Sequence, residues 1–180
     1  MSDNVAAPPA LGIPLLFDYL YWLRDRVLRV AGGLTDAAFL ETPSSHGRDL
    51  RATLAHELDV EMSWRARLRG RAEKEWGPEA EIEPHRFASV ADLDAMWRED
   101  EAVMRDWLRN LAPSDLERPV TTNRLEGYAL SVYLLHVVEH GVTELASAAG
   151  ILHGMGHSAG DLGVLDALDD LAPMPRHDPA

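Results

Sequence analysis

The 180-residue sequence predicts an all-α protein, a four-helix bundle carrying short extra helical turns. Three observations carry that expectation. Four long segments repeat their apolar residues at three- and four-residue steps, the period of one buried helix face. Strand signals are missing, with no alternating β-branched runs and no Asn-Gly hairpin turns. Stretches bearing glycine or proline separate the four segments where helices should stop.

The first segment spans about Ile13 to Val30 and sets Leu16, Leu20, Leu23, Val27 and Val30 at helical steps. "AGGLTDAAF" breaks it, and Thr35 is placed to cap a single short turn. The second runs from about Asp49 to Gly70, is stopped by "RGR", and leads into the polar, proline-bearing loop "EWGPEAEIEPHRF". The third opens at Ser89, with Asp92 three residues on to complete a variant capping box. It continues through Met96, Trp97, Val103, Met104, Trp107 and Leu108 to Leu111. Ser114 and Glu117 in "SDLERP" repeat the capping pattern over one turn. The fourth starts near Tyr128 and ends in the glycine-rich "HGMGHSAGD", and "DLGVLDALDDL" predicts a short fifth helix. The expected organisation is one helical domain, residues 13–172, between a disordered tail of residues 1–12 and a frayed tail of residues 173–180.

Composition narrows the function classes. An apolar content of 46% supports a real core. The chain has no cysteine, which excludes disulfides, thiolate metal sites and a cysteine nucleophile. No stretch approaches the ~18 uninterrupted apolar residues of a membrane span. "MSDNVAAPPALGIP" lacks the basic and apolar regions of a secretory signal, so a cytoplasmic protein is expected. A formal net charge of −13 argues against nucleic acid as a partner. "WRARLRGRAEK" is the local exception, with Arg65, Arg67, Arg69, Arg71 and Lys74. These cations either complement a helix C-terminus or form a small-anion site.

The fourth segment carries the chemistry. In "LLHVVEHGVTELASAAGIL", His136, His140 and Glu144 recur every four residues, about one helical turn, and project from one face. Leu135, Val138, Val142, Leu145, Ala149 and Leu152 form an apolar stripe, with His136, His140, Thr143 and Ser147 nearly opposite and Glu144 on their flank. A solvated face usually carries long cations, yet no Lys or Arg occurs from Leu125 to Pro175. The fourth helix is therefore expected to be shielded on both sides, its polar stripe satisfied by hydrogen bonds, a partner subunit or a metal. Donor pairs at i, i+4 suit chelation, and a third donor must come from elsewhere. His56 is the other histidine expected inside a long helix, flanked by the short side chains of Ala52, Val60 and Ser63. Asp59 is either a hydrogen-bond acceptor behind it or a helix-surface acid. His46, His85, His153, His157 and His177 fall in loops or the tail. Spacing alone leaves two readings open, a metal site or hydrogen-bonded core histidines.

Three segments, taken in order, add a resemblance. "LRATLAHELDVEMSWRARLRG", "FASVADLDAMWREDEAVMRDWLRNLAPSDLERPV" and "LLHVVEHGVTELASAAGILHGMGH" resemble the second, third and fourth helices of the DinB/YfiT-like proteins, damage-inducible four-helix bundles. The resemblance covers about Leu15 to Leu171. It implies a divalent metal, often nickel or zinc, held by three histidines, one from helix two and two from helix four. By position the first two match His56 and His140, while Glu144 stands at the third and Leu-Ala-Ser replaces the usual Arg-Gly-Gln. His56, His140 and Glu144 would form a two-histidine, one-carboxylate set suited to zinc or ferrous iron, with open positions for water or substrate. Mixed histidine–glutamate sets are known in relatives of the mycothiol-dependent maleylpyruvate isomerase type. The alternatives are His56, His136 and His140 with Glu144 as a base or supporting group, or a site that no longer binds metal. The resemblance also implies a small-molecule transferase or isomerase that uses an exogenous low-molecular-weight thiol in stress or detoxification. In that reading His136 is the candidate for proton transfer, and the protein is a homodimer. The competing class is a non-catalytic stress-response binding or dimerisation module.

Overall fold

A computed structural model describes residues 12–43 and 47–171 of the chain. The expected tails, apart from Gly12, lie outside the described residues, as do His46 and His177. Four long helices form the bundle: α1 (Ile13–Ala31), α3 (Leu50–Leu68), α4 (Val90–Arg109) and α6 (Leu130–Gly154). The short α2 (Asp36–Leu40), α5 (Pro113–Glu117) and α7 (Val164–Leu171) complete the all-α fold. Among the described residues no strand forms, and an isolated bridge pairs Pro119 with Ala129. No helix among them is long and apolar enough to cross a membrane.

Side-chain caps set the starts of α2, α3 and α4. Thr35 Oγ1 accepts the Ala38 N–H at 3.1 Å, and Asp49 Oδ1 accepts the Ala52 N–H at 2.7 Å. At α4 the capping box closes in both directions, Ser89 Oγ to the Asp92 N–H and Asp92 Oδ2 to the Ser89 N–H. The turn expected from Ser114 and Glu117 begins one residue earlier. Pro113 opens it with a backbone angle already helical, and Asp115 Oδ2 accepts the Ala112 N–H at 2.8 Å. His153, expected in a loop, belongs to the last turn of α6. The loop after α3 folds as three 3₁₀ turns, Glu73–Glu75, Pro78–Ala80 and Pro84–Arg86. Asp59 pins that loop by accepting the Ile82 N–H at 2.9 Å, so its carboxylate serves the loop backbone.

The core lies where α6 packs on α3 and α1, with α4 packing on both α1 and α3. Phe17, Leu20, Leu54, Leu58, Leu93, Trp97, Leu134, Leu145 and Leu152 are fully buried. Two-sided shielding of α6 does not hold within this chain. Its buried face carries Leu134, Val137, Val138, Gly141, Leu145 and Ala148, whereas Val132 is 49% and Leu135 51% exposed. His136, Glu139 and Thr143 are exposed as well. α3 and α1 cover one side of α6 only, so the missing cations do not report burial by the bundle.

Candidate metal centre

Packing of α6 against α3 brings together side chains far apart in sequence. The rings of His56 and His140 meet edge to face with centroids 5.3 Å apart. One ligand atom from each of His56, His140 and Glu144 lies within 4.8 Å of the other two, and all three residues are half-buried. This is the one such cluster among the described residues. His136 stands outside it, exposed, with its ring 6.4 Å from that of His140 and 5.0 Å from that of Trp64.

Two of the three side chains are held from behind. His140 Nδ1 lies 2.7 Å from Glu57 Oε2, a carboxyl with no solvent exposure. With Glu57 ionised, Nδ1–H donates to it and the Nε2 lone pair faces the cluster, 4.0 Å from Glu144 Oε1. Arg48 Nη1 donates to Glu144 Oε2 at 2.9 Å, which leaves Oε1 toward His140. Gly141 makes the first of these contacts possible. A Cβ at that position would sit 2.4 Å from Glu57 Oε1 and 2.6 Å from Leu20 Cδ1, so only glycine admits α6 this close.

The electrostatics favour neutral imidazoles, the form that binds metal. Burial pushes His56 below its ordinary value, and Arg48 pushes it the same way against Glu144. Burial lowers His140 too, with Glu144 opposing and Arg48 assisting. The Glu57 carboxyl is driven well up by burial and by Glu144, so in the metal-free protein Glu57 keeps its proton and donates it to His140 Nδ1. With a metal at Nε2, the Nε2 proton leaves and the shared proton moves onto Nδ1, leaving Glu57 ionised. Two imidazoles and a carboxylate fit zinc or ferrous iron. Ligand bonds of about 2.0–2.2 Å place neighbouring donors roughly 3–3.5 Å apart in a tetrahedral site, a modest contraction by side-chain rotation.

Behind Glu57 a buried polar row enters the bundle. Glu61 is fully buried, and its Oε1 accepts the Trp97 indole N–H at 2.9 Å while Oε2 has no partner. Arg65 pairs with Asp100, and the buried Arg24 donates to Glu101 Oε2 at 2.5 Å. Sequence reasoning missed Glu57 and Glu61. The readable signal was an acid at two positions of the apolar stripe Leu50, Leu54, Glu57, Glu61 and Leu68.

Comparison with known proteins adds one match. The family model of the DinB superfamily covers residues 19–148, a span that contains all three converging donors. No curated protein matches the chain.

Proposed function

The chain belongs to the DinB superfamily, and from that premise we propose that it is a metal-dependent member whose centre is His56, His140 and Glu144. The carrying observation is their convergence within 4.8 Å, with His140 and Glu144 each oriented by a second group. The ion would be zinc, nickel or ferrous iron. When bound it supplies Lewis acidity, lowering the pKa of a thiol or water ligand.

Each side chain then has a distinct task. His56 and His140 offer neutral nitrogens, Glu144 offers a charge-balancing oxygen, and Arg48 keeps that oxygen aimed at the cluster. His136, exposed beside the cluster, is the residue that exchanges protons with solvent or substrate. Our reading of the reaction is transfer or isomerisation of a small molecule with a low-molecular-weight thiol. It is supported by the superfamily and by a chain that brings no thiol of its own. We place this activity in the cytoplasm, where such thiols stay reduced. We also propose a homodimer formed through the open face of α6, where Val132 and Leu135 are exposed together with Tyr128 just before the helix.

Metal stoichiometry of untagged wild-type, Glu144→Ala and His136→Ala proteins, after identical reconstitution, tests the proposal. Wild type and His136→Ala should carry metal and Glu144→Ala should not. The opposite ranking would make His136 the third ligand. Near-zero occupancy in wild type would end the metal reading in favour of a non-catalytic module.

A further inference from the structure

We propose that the cleft beside the centre, where Arg67 lies between the indoles of Trp64 and Trp76, binds the carboxylate end of a planar monocarboxylic acid. The inference deepens the metal-site reading and rests on it only for what the ligand's far end would reach.

The basic run "WRARLRGRAEK" does not act as one patch. Arg65 turns inward to Asp100. Arg67 instead lies between two rings, its guanidinium carbon 5.1 Å from the Trp64 centroid and 5.2 Å from that of Trp76. Its Nε donates to the Asn123 carbonyl at 3.1 Å, and Asn123 Nδ2 donates back to the Arg67 carbonyl at 2.9 Å. Trp76 is fixed in turn, its indole N–H donating to the Arg71 carbonyl at 3.0 Å. Every one of these contacts positions the guanidinium and none neutralises it. Among the described residues no carboxylate lies within 4.0 Å of Arg67, although the chain carries a net charge of −13. Among the described residues neither Nη group has a hydrogen-bond partner.

The cleft around this fork has a volume of ≈ 320 Å³ and is lined by Asp59, Ser63, Trp64, Arg67, Trp76 and Glu81 among others. That is the lower end of the range for small-molecule sites, about 300–1,000 Å³. A pre-positioned guanidinium matches a carboxylate through two parallel N–H···O bonds. Because the guanidinium takes one face of each indole and Tyr133 stacks on Trp64 with ring centroids 5.9 Å apart, a flat apolar body would meet the ring edges beside the fork. Asp59 and Glu81 set the charge limit. They repel polyanions such as phosphate esters, whereas a cation would have to displace Arg67 from between the rings. A monocarboxylate satisfies both conditions.

The cleft and the centre share helix α3. His56 and Ser63 are seven residues apart on α3, two turns and about 10 Å along one face. The Trp64 ring meets that of His136 edge to face with centroids 5.0 Å apart, and His136 neighbours His140 at 6.4 Å. None of His56, His140 and Glu144 lines the cleft, so Trp64 and His136 are the rings that connect it to them.

The test uses 2-naphthoate and its uncharged analogue 2-naphthamide on the full-length protein, metal-free and after zinc reconstitution. Calorimetry gives affinity, and the indole N–H signals of Trp64 and Trp76 give location. Naphthoate should bind metal-free wild type at least tenfold more tightly than naphthamide and shift both indole signals. Arg67→Gln should abolish that preference, while Glu144→Ala should preserve it. Equal affinity for the two compounds in wild type, or indole signals that stay in place, would overturn the proposal without reliance on any variant. Naphthoate binding to a protein that takes up no zinc would sustain this cleft and sink the metal centre. Zinc uptake without naphthoate binding would do the reverse.

Discussion

Gly141→Ala is the sharpest perturbation of the α3–α6 contact, because one methyl group meets two buried atoms. Glycine inside a helix ordinarily costs about 1 kcal/mol relative to alanine, so the substitution begins with a gain. The added Cβ, however, would lie 2.4 Å from Glu57 Oε1 and 2.6 Å from Leu20 Cδ1, both in residues without solvent exposure. Overpacking of that kind costs about 1–3 kcal/mol. Swinging Glu57 away leaves the Leu20 clash and also strands His140 Nδ1, and an unmet buried partner costs about 1–3 kcal/mol. The two costs together are about 2–6 kcal/mol, and less the gain of about 1 kcal/mol the expected net loss centres on about 3 kcal/mol. At about 2–4 °C per kcal/mol for a protein of this size, melting should fall by about 6–12 °C. Gly150→Ala is the matched control in the same helix, since nothing lies within 4 Å of its added Cβ. It should gain about 1 kcal/mol and melt slightly higher. Urea and thermal unfolding of both variants, followed by circular dichroism, provide the assay. If the two variants prove equally stable, the close approach of α6 to Glu57 is wrong, and with it the account of how His140 is oriented.

Four further outcomes follow from the same geometry. Glu57→Gln replaces the carboxylate behind His140, and titration with a competing chelator should show metal affinity reduced about 10–100-fold, the usual effect of losing such a partner. Burial, Glu57 and Asp100 push the Glu61 carboxyl well above the usual range, so the folded chain keeps a proton that the unfolded one releases near pH 4.3. Stability is therefore lost as pH rises through that window, and Glu61→Gln should flatten the decline; parallel curves in urea would contradict it. His56 and His140 have the opposite sign. Their lowered values mean that the unfolded chain takes up more protons below about pH 6.5, so the metal-free protein should lose stability on acidification from pH 7 to 5, less so in His56→Asn/His140→Asn. Finally, with a net charge of −13 the protein should not bind duplex DNA tightly at physiological salt, and a gel-shift titration showing otherwise would refute that expectation.

Helix periods and caps are local, and they were legible in the sequence. Thr35, Asp49 and the Ser89–Asp92 box act on backbone groups within four residues, so α1, α3, α4 and α6 emerge near their expected limits. The donors His56, His140 and Glu144 were also readable, as residue types at helical spacing and through family resemblance. What surrounds them was not. The Glu57–His140 contact joins positions 83 apart, and Arg48 reaches Glu144 across 96. Such partners depend on which face of α6 meets α3, and that choice turns on the absent side chain of Gly141. The same limit explains why shielding of α6 by the bundle reaches one side only: a run without Lys or Arg tells which charges are absent, but only packing decides which side of the helix the chain itself covers. Arg67 between Trp64 and Trp76 is a third case, because a loop of 3₁₀ turns without periodic signal carries one wall. Local sequence thus determined the helices and supplied the donors, whereas tertiary packing decided the geometry around them, since side chains distant along the chain acquire neighbours only when the helices meet.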